Sequence, residues 1–339
     1  MKTTSLKRFH AVDEADPGEK WLAHYRAAMP NYRRWFASEG ELKRPSLAEC
    51  RAAMQTYMPE MIPLWEHLID IAAADADDAR LLSFYCPAPN LAGCSQAVWT
   101  RYTPTLVRNY DYSPDYCEGR IMKTRWGATQ VIASTDCLWG VLDGMNEHGL
   151  SVSLSFGGKG AVAKGFSIPI VLRYVLETCY GVDDAVKTLC RVPAHMAYNI
   201  TLVDAYGQVR TVELAPYAPP QVTYKPFAVN HQGDFALSNY AMFSHSHERQ
   251  QFIVGKLFDP HSSIESFVDA FEYNPLYASN YDQGFGTLYT AIYNPQLRAM
   301  EYRWPQRVRM HQSFAYFEEY EVWVDLQGGR RGGAQSVLS

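Results

Sequence analysis

Apolar positions change their spacing near residue 93. From Gly18 to about Ala74 they recur at helical intervals: Trp21, Leu22, Tyr25, Ala28 and Met29 share one stripe. Pro45-Ser46-Leu47 opens a second helical stretch carrying Met54, Met58, Met61, Leu64, Trp65, Leu68 and Ile69. This Met and aromatic stripe reads as core-facing surface. The acidic run Asp75, Asp77, Asp78 reads as a solvated loop. Leu81 to Cys86 has the composition of a strand, and Pro87-Ala88-Pro89-Asn90 forms a loop that delivers the chain to Gly93-Cys94.

Beyond Cys94 the pattern shortens into strands separated by turns. Ser95–Arg101, Thr105–Tyr110, Thr129–Ser134, Trp139–Asp143 and Leu150–Phe156 are expected strands, with Asp143-Gly144 and His148-Gly149 as turn signals. Pro169–Glu177 and Asp183–Cys190 return to helical spacing. A second strand block follows at Asn199–Asp204, Gln208–Leu214 and Phe227–Asn230. Helices are then expected at Glu248–Leu257 and Ile264–Phe271, and a final strand pair at Thr287–Tyr293 and Ala299–Trp304. Helices set between two antiparallel strand blocks predict a layered α+β body. The glycine- and arginine-rich end, 326–339, is expected to be disordered.

The 339 residues are 47% hydrophobic and 20% charged, enough for one large core. A formal charge of -5 gives no global footprint for nucleic acid or an anionic membrane. No run of about eighteen apolar residues suggests a membrane span. The basic N-terminus leads into Asp13, Glu14 and Asp16 rather than an apolar signal core. Seven scattered cysteines without a C-x-x-C pair read as reduced thiols in a cytoplasmic protein.

Among these thiols Cys94 stands out, because Gly93 precedes it and Arg108-Asn109-Tyr110-Asp111 follows after one strand and a turn. A nucleophilic thiol needs a base and donors for an oxyanion. No histidine lies near Cys94 in sequence, so His148, His231, His245 and His247 are bases only if the fold delivers them. A second route needs none of them. If the bond before Cys94 is cut, its new α-amine, with a reference pKa of roughly 7.7 to 8.0, can serve as the base. Glycine at 93 tolerates a strained backbone and leaves no side chain over the sulfur.

Three other patterns carry bland readings. Gly157-Gly158-Lys159-Gly160 lacks the Lys-Ser/Thr of a phosphate loop and reads as a flexible loop. His245-x-His247-Glu248 lacks a partner cluster for a metal. Asp143-Gly144-Met145-Asn146-Glu147 lacks the alternating carboxylates of a calcium loop and reads as a turn in which Glu147 ties backbone.

Gly93-Cys94, Arg108-x-x-Asp111, Asp143 to Leu150, Phe227-Ala228-Val229-Asn230-His231 and Ser246-His247-Glu248-Arg249, in this order, resemble the cysteine N-terminal-nucleophile (Ntn) hydrolases of the choloylglycine hydrolase and penicillin V acylase superfamily. The branch most resembled is the acyl-coenzyme A:6-aminopenicillanic acid acyltransferase, or C45 peptidase-like, group. The resemblance spans about Gly93 to Trp304 and implies an αββα sandwich of two antiparallel sheets. It implies a helical leader over 1–93, a catalytic domain over 94–325, and self-cleavage between Gly93 and Cys94.

By resemblance Cys94 matches the nucleophile, Asp111 the carboxylate that binds the new amine, and Arg108 the guanidinium beside the thiolate. Asn230 matches the oxyanion asparagine and Arg249 a charged residue that holds the site together. Ser155 stands where relatives have asparagine or tyrosine, leaving its backbone N–H as the oxyanion contribution. Asn199 is a weaker candidate that could equally satisfy buried backbone. The implied activity is amide hydrolysis or acyl transfer through a Cys94 thioester, on a small-molecule acyl donor with water or an amine as acceptor. No cofactor, metal, nucleic acid or membrane is implied, and a homo-oligomer is permitted. Rival readings are an unprocessed papain-like hydrolase with a Cys-His dyad and a catalytically silent binding protein on the same fold.

Overall fold

The computed structural model describes residues 6–89, 92–233, 244–304 and 307–327. Two sheets face each other. The larger is built from β1 (Leu6–Glu14), β4 (Arg120–Thr124), β5 (Val131–Asp136), β6 (Gly140–Asn146), β7 (Ser151–Phe156), β8 (Tyr198–Val203), β9 (Val209–Ala215), β10 (Ala218–Thr223) and β15 (Glu321–Asp325), in the order β10-β9-β8-β7-β6-β5-β4-β1-β15. The smaller contains β2 (Gly93–Trp99), β3 (Thr105–Tyr112), β11 (Phe227–Ala228), β12 (Gly286–Asn294), β13 (Ala299–Arg303) and β14 (Arg309–Ser313), in the order β11-β2-β3-β12-β13-β14.

Between the sheets, β2 packs on β7 and β8, and β12 on β6. Helices α5 (Ile168–Thr178) and α6 (Val182–Arg191) cover the large sheet. On the outer face of the small sheet, α7 (Ser246–Phe258) and α8 (Ile264–Asp269) enclose a second core of Ala97, Trp99, Val107, Ile253, Phe267 and Phe271. This is the expected αββα order of layers. Alternation along β2 explains it: Cys94, Gln96 and Val98 face the large sheet, while Ser95, Ala97 and Trp99 face the helices.

The leader is not purely helical. Its helices α1 (Glu19–Phe36), α2 (Leu47–Tyr57) and α3 (Ile62–Ala72) follow the predicted stripe, a further helix α4 (Ala76–Ser83) lies beyond it, and Trp21, Met54 and Trp65 are buried. Before them, β1 lies inside the large sheet, parallel to β4 and antiparallel to β15, so that sheet is not wholly antiparallel. A parallel neighbour needs a long crossover, and here more than a hundred residues of chain separate the two strands.

The first half of the strand expected at Leu81–Cys86, through Ser83, is the end of α4. Asp75 caps that helix, accepting from the amides of Asp77 and Asp78 at 3.0 and 2.9 Å, and the left-handed Phe84 ends it. The acidic run is thus a cap and a first turn, with Asp78 buried against Tyr25 and Arg33. Asp143-Gly144 is likewise not a turn but mid-strand in β6; the turn lies at 147–150, where Gly149 takes a positive φ of 87°. Glu147 does tie backbone, accepting from the Gln130 amide at 2.9 Å. Leu326 is buried, and residues 328–339 of the expected disordered tail lie outside the described residues. Among the described residues, no helix is long and apolar enough to cross a membrane.

Candidate active site

Strands β2 and β3 pair antiparallel, with Cys94 opposite Tyr110 and Gly93 opposite Asp111. Arg108 and Asp111 are three residues apart on one strand, so their side chains leave opposite faces of the sheet. Arg108 turns inward between the sheets, where its Nη2 donates to Cys94 Sγ at 3.1 Å. Asp111 turns outward beside Gly93 and accepts from Arg249 Nη1 at 2.9 Å and Thr287 Oγ1 at 2.7 Å. The Arg-x-x-Asp motif therefore straddles the Gly93-Cys94 junction.

Asn230 closes the arrangement from the loop after β11. Its Oδ1 accepts from the Cys94 backbone N–H at 3.0 Å and from Arg249 Nη2 at 2.7 Å, and its Nδ2 donates to Phe156 O at 3.1 Å. Two donors on one atom and an acceptor on the other fix which way the amide points. One Nδ2 proton holds Phe156 O. Arg249, from the first turns of α7, also donates to Ser95 Oγ at 2.9 Å, so one guanidinium joins β2, β3 and the Asn230 loop.

The other candidates support this loop. Ser155 Oγ donates to Val229 O at 2.8 Å, and Asn199 Nδ2 donates to Val229 O at 2.8 Å and His231 O at 3.1 Å. Asn199 holds the backbone on either side of Asn230, and Ser155 holds it on the Val229 side alone. The Gly157-Gly158 pair is packed rather than merely flexible: a Cβ on Gly158, whose φ is +79°, would meet Asn230 O at 2.7 Å.

Gly93 is extended strand without a positive φ, which corrects the backbone strain expected there. Its need is space: a Cβ would sit 2.6 Å from Phe285 Cζ and 3.2 Å from Asp111 Cβ. The thiol is fully buried, and burial raises its pKa against the opposing pull of Arg108. Burial also raises Asp111, opposed chiefly by Arg249.

Asp143 is a site residue that the sequence reading placed in a turn. It forms an ion pair with Arg108 Nη1, and both side chains are fully buried. Tyr289 and Tyr293 donate to its two oxygens at 2.7 and 2.5 Å, and Ser134 Oγ donates at 3.1 Å. Its partners come from three strands, β3, β5 and β12, so no local motif announces it.

Histidines occupy other places. His231 Nδ1 meets Ser246 Oγ at 2.7 Å, and its ring stacks on His247 at 4.4 Å. His245 pairs with the exposed Glu248 at 3.5 Å, and among the described residues no cluster of three His, Cys, Asp or Glu could hold a metal. The group donating to Sγ is a guanidinium, not an imidazole.

The fold resembles several solved structures. Penicillin V acylase from Agrobacterium tumefaciens is 12% identical with a TM-score of 0.44, covering 66% of this chain and 86% of its own. The Caenorhabditis elegans ortholog of N-acylethanolamine-hydrolyzing acid amidase is 17% identical with a TM-score of 0.47, covering 68% and 99%. A mutant conjugated bile acid hydrolase from Clostridium perfringens is 11% identical with a TM-score of 0.38, covering 68% and 96%. No curated protein sequence matches the chain. A family profile does match, over residues 99–309, which takes in Arg108, Asp111, Asp143, Asn230 and Arg249 and begins five residues after Cys94. That match covers more than half of the chain, which therefore belongs to the acyl-coenzyme A:6-aminopenicillanic acid acyl-transferase family.

Proposed function

We propose that this chain is the precursor of a self-cutting thiol amidase or acyltransferase in which Cys94 becomes first its own cleavage site and then the nucleophile. The observation that carries the reading is the separate holding of the two reactive atoms of Cys94: its nitrogen on Asn230 Oδ1 and its sulfur on Arg108 Nη2, at 3.0 and 3.1 Å. Sulfur attacks the Gly93 carbonyl carbon, the Gly93–Cys94 C–N bond breaks, and the thiol proton passes to the leaving nitrogen. Water then splits the resulting thioester, leaving Gly93 as a carboxylic acid and Cys94 with a free amine and thiol.

In turnover the free α-amine takes the thiol proton and sulfur attacks the acyl carbon of a small-molecule donor. The leaving group departs with a proton, and water or an amine accepts the acyl group from the thioester. Asn230 Oδ1 keeps the amine in place, and its second Nδ2 proton faces the oxyanion, a contribution typically worth about 10²- to 10³-fold in rate. Arg249 holds Asp111 and Asn230 to the same point. The family's name supplies the substrate class: an acyl donor and an amine acceptor.

Intact-mass analysis of freshly expressed protein beside Cys94→Ala tests the reading. Two fragments divided after Gly93 in the parent, and one whole chain in the variant, are expected. A parent that stays whole while it hydrolyses an amide rules out the α-amine as base.

A further inference from the structure

We infer that Asp143 is a positioning residue that aims the Arg108 guanidinium at Cys94 and, by offsetting its charge, keeps the sulfur protonated until an amine takes the proton. The inference rests on the functional reading above. Arg108 is held at four points: Nε on Leu154 O at 3.1 Å, Nη1 on Asp143 and on the Tyr289 hydroxyl at 3.3 Å, and Nη2 on Sγ at 3.1 Å. Leu154 and Asp143 fix the plane of the guanidinium, leaving Nη2 facing the sulfur.

A lone buried guanidinium at this distance would pull the thiol toward the thiolate, because charges act strongly where water is excluded. Asp143 supplies the opposite charge on Nη1, so the sulfur faces one end of an ion pair rather than a bare cation. The carboxylate is itself anchored by Tyr289, Tyr293 and Ser134, and Tyr302 donates onward to the Tyr293 hydroxyl at 2.6 Å. Burial holds all three tyrosines neutral, so they remain O–H donors at any working pH.

The chemical consequence is an order of events. The S–H bond stays intact in the dry precursor, and the proton leaves sulfur only when the nitrogen of Cys94 can take it. The product is then a thiolate beside an ammonium, with no proton lost to solvent. Without Asp143 the thiol would ionise early, where stray electrophiles could consume it.

The test is the pH dependence of Cys94 alkylation by iodoacetamide, followed on the Cys94 peptide by mass, in the parent, Asp143→Asn and Tyr293→Phe. Asparagine can still accept from Nη1 but carries no charge, so the alkylation midpoint should move to lower pH. One unit of movement gives roughly tenfold faster labelling below the midpoint. Tyr293→Phe removes a donor from Asp143 without touching Arg108, concentrates the carboxylate's charge on the guanidinium, and should move the midpoint to higher pH. General loosening of the core would move both the same way, so shifts of one sign, or no shift, overturn the inference. If Asp143→Asn does not fold, Tyr293→Phe alone decides, and an unmoved or lowered midpoint is fatal to it. The same spectra report cutting after Gly93. An uncut parent with both shifts refutes the functional reading alone, whereas a cut parent with unmoved midpoints refutes the role of Asp143 alone.

Discussion

Arg249 Nη2 lies 2.7 Å from the Asn230 Oδ1 that also accepts the Cys94 amide, so helix α7 reaches the Gly93-Cys94 junction through a single amide oxygen. Two substitutions separate the consequences. Asn230→Ala removes the acceptor of the Cys94 N–H and of one Arg249 N–H, each a loss of about 1–3 kcal/mol if water cannot replace it. It should fold with a lowered melting temperature and lose at least about 10²-fold in turnover. Unchanged kinetics in a folded Asn230→Ala protein would remove Asn230 from the site. Arg249→Lys cannot span Ser95, Asp111 and Asn230 with one ammonium, and leaving the buried Asp111 under-paired should cost about 3–5 kcal/mol, read by thermal unfolding.

Phe285 and Gly93 form a second testable pair. A methyl group at 93 meets the far end of the Phe285 ring at 2.6 Å, whereas backbone conformation there is ordinary strand. Gly93→Ala should therefore slow self-cleavage by displacing the junction, and Gly93→Ala with Phe285→Leu should recover much of the lost rate. Time courses of fragment appearance on denaturing gels measure both. A double variant as slow as the single one would mean that glycine is needed for something other than room.

Much of this site was legible because its parts carry local signals. Gly-Cys before a strand, Arg-x-x-Asp in the next strand, and Asn-His after a short strand each read as chemistry, and the fold brings Cys94, Arg108, Asp111, Asn230 and Arg249 together. The faces of β3 were not legible, because motif spacing says nothing about sides until the residues are known to be extended: Arg108 and Asp111 act on opposite sides of β2. Asp143 was hidden by its neighbour. Asp-Gly signals a turn locally, but tertiary packing keeps β6 extended there, with Gly144 accommodating the close approach of Ala133 and a register shift just beyond Ser134. Strand β1 was missed because Lys7, Arg8 and His10 break the apolar run, and its partners lie more than a hundred residues away.

Under the proposed cleavage after Gly93, that strand governs what happens to the leader. β1 is hydrogen-bonded on both edges, to β4 and β15, while Trp21 Nε1 donates to Leu138 O at 3.1 Å and Trp139 Nε1 to Leu82 O at 2.9 Å. Removing 1–93 would open two strand edges and uncover the Trp21, Met54 and Trp65 core. The two fragments should elute together in native size-exclusion chromatography and separate only in denaturant. Separate elution in native buffer would show that the leader is a removable cover.

The leader also carries a pH-dependent contact. Tyr32 OH lies 2.8 Å from Asp136 Oδ1 and also bonds Glu118 Oε1, whose carboxylate meets His24 at 2.7 Å. One phenol proton cannot serve two carboxylates, so a proton on Asp136 completes the chain Asp136–Tyr32–Glu118; Tyr110 OH and the Cys137 amide also point at Asp136. Burial, and then the charge of Glu118, raise Asp136 to about 7, while His24 and the bonds from Tyr32 and Leu138 overcome burial to pull Glu118 down. A raised carboxylate contributes stability that is complete below its unfolded value of 3.8 and is lost as pH rises through about 7. A lowered one contributes stability that is lost as pH falls below its ordinary range. The pair therefore favours mildly acidic solution, and the melting temperature should fall between pH 5 and pH 8 from this source. Asp136→Asn, a neutral mimic of the protonated acid, should flatten that fall in thermal unfolding at the two pH values. An equal fall in the variant would mean that the proton resides elsewhere.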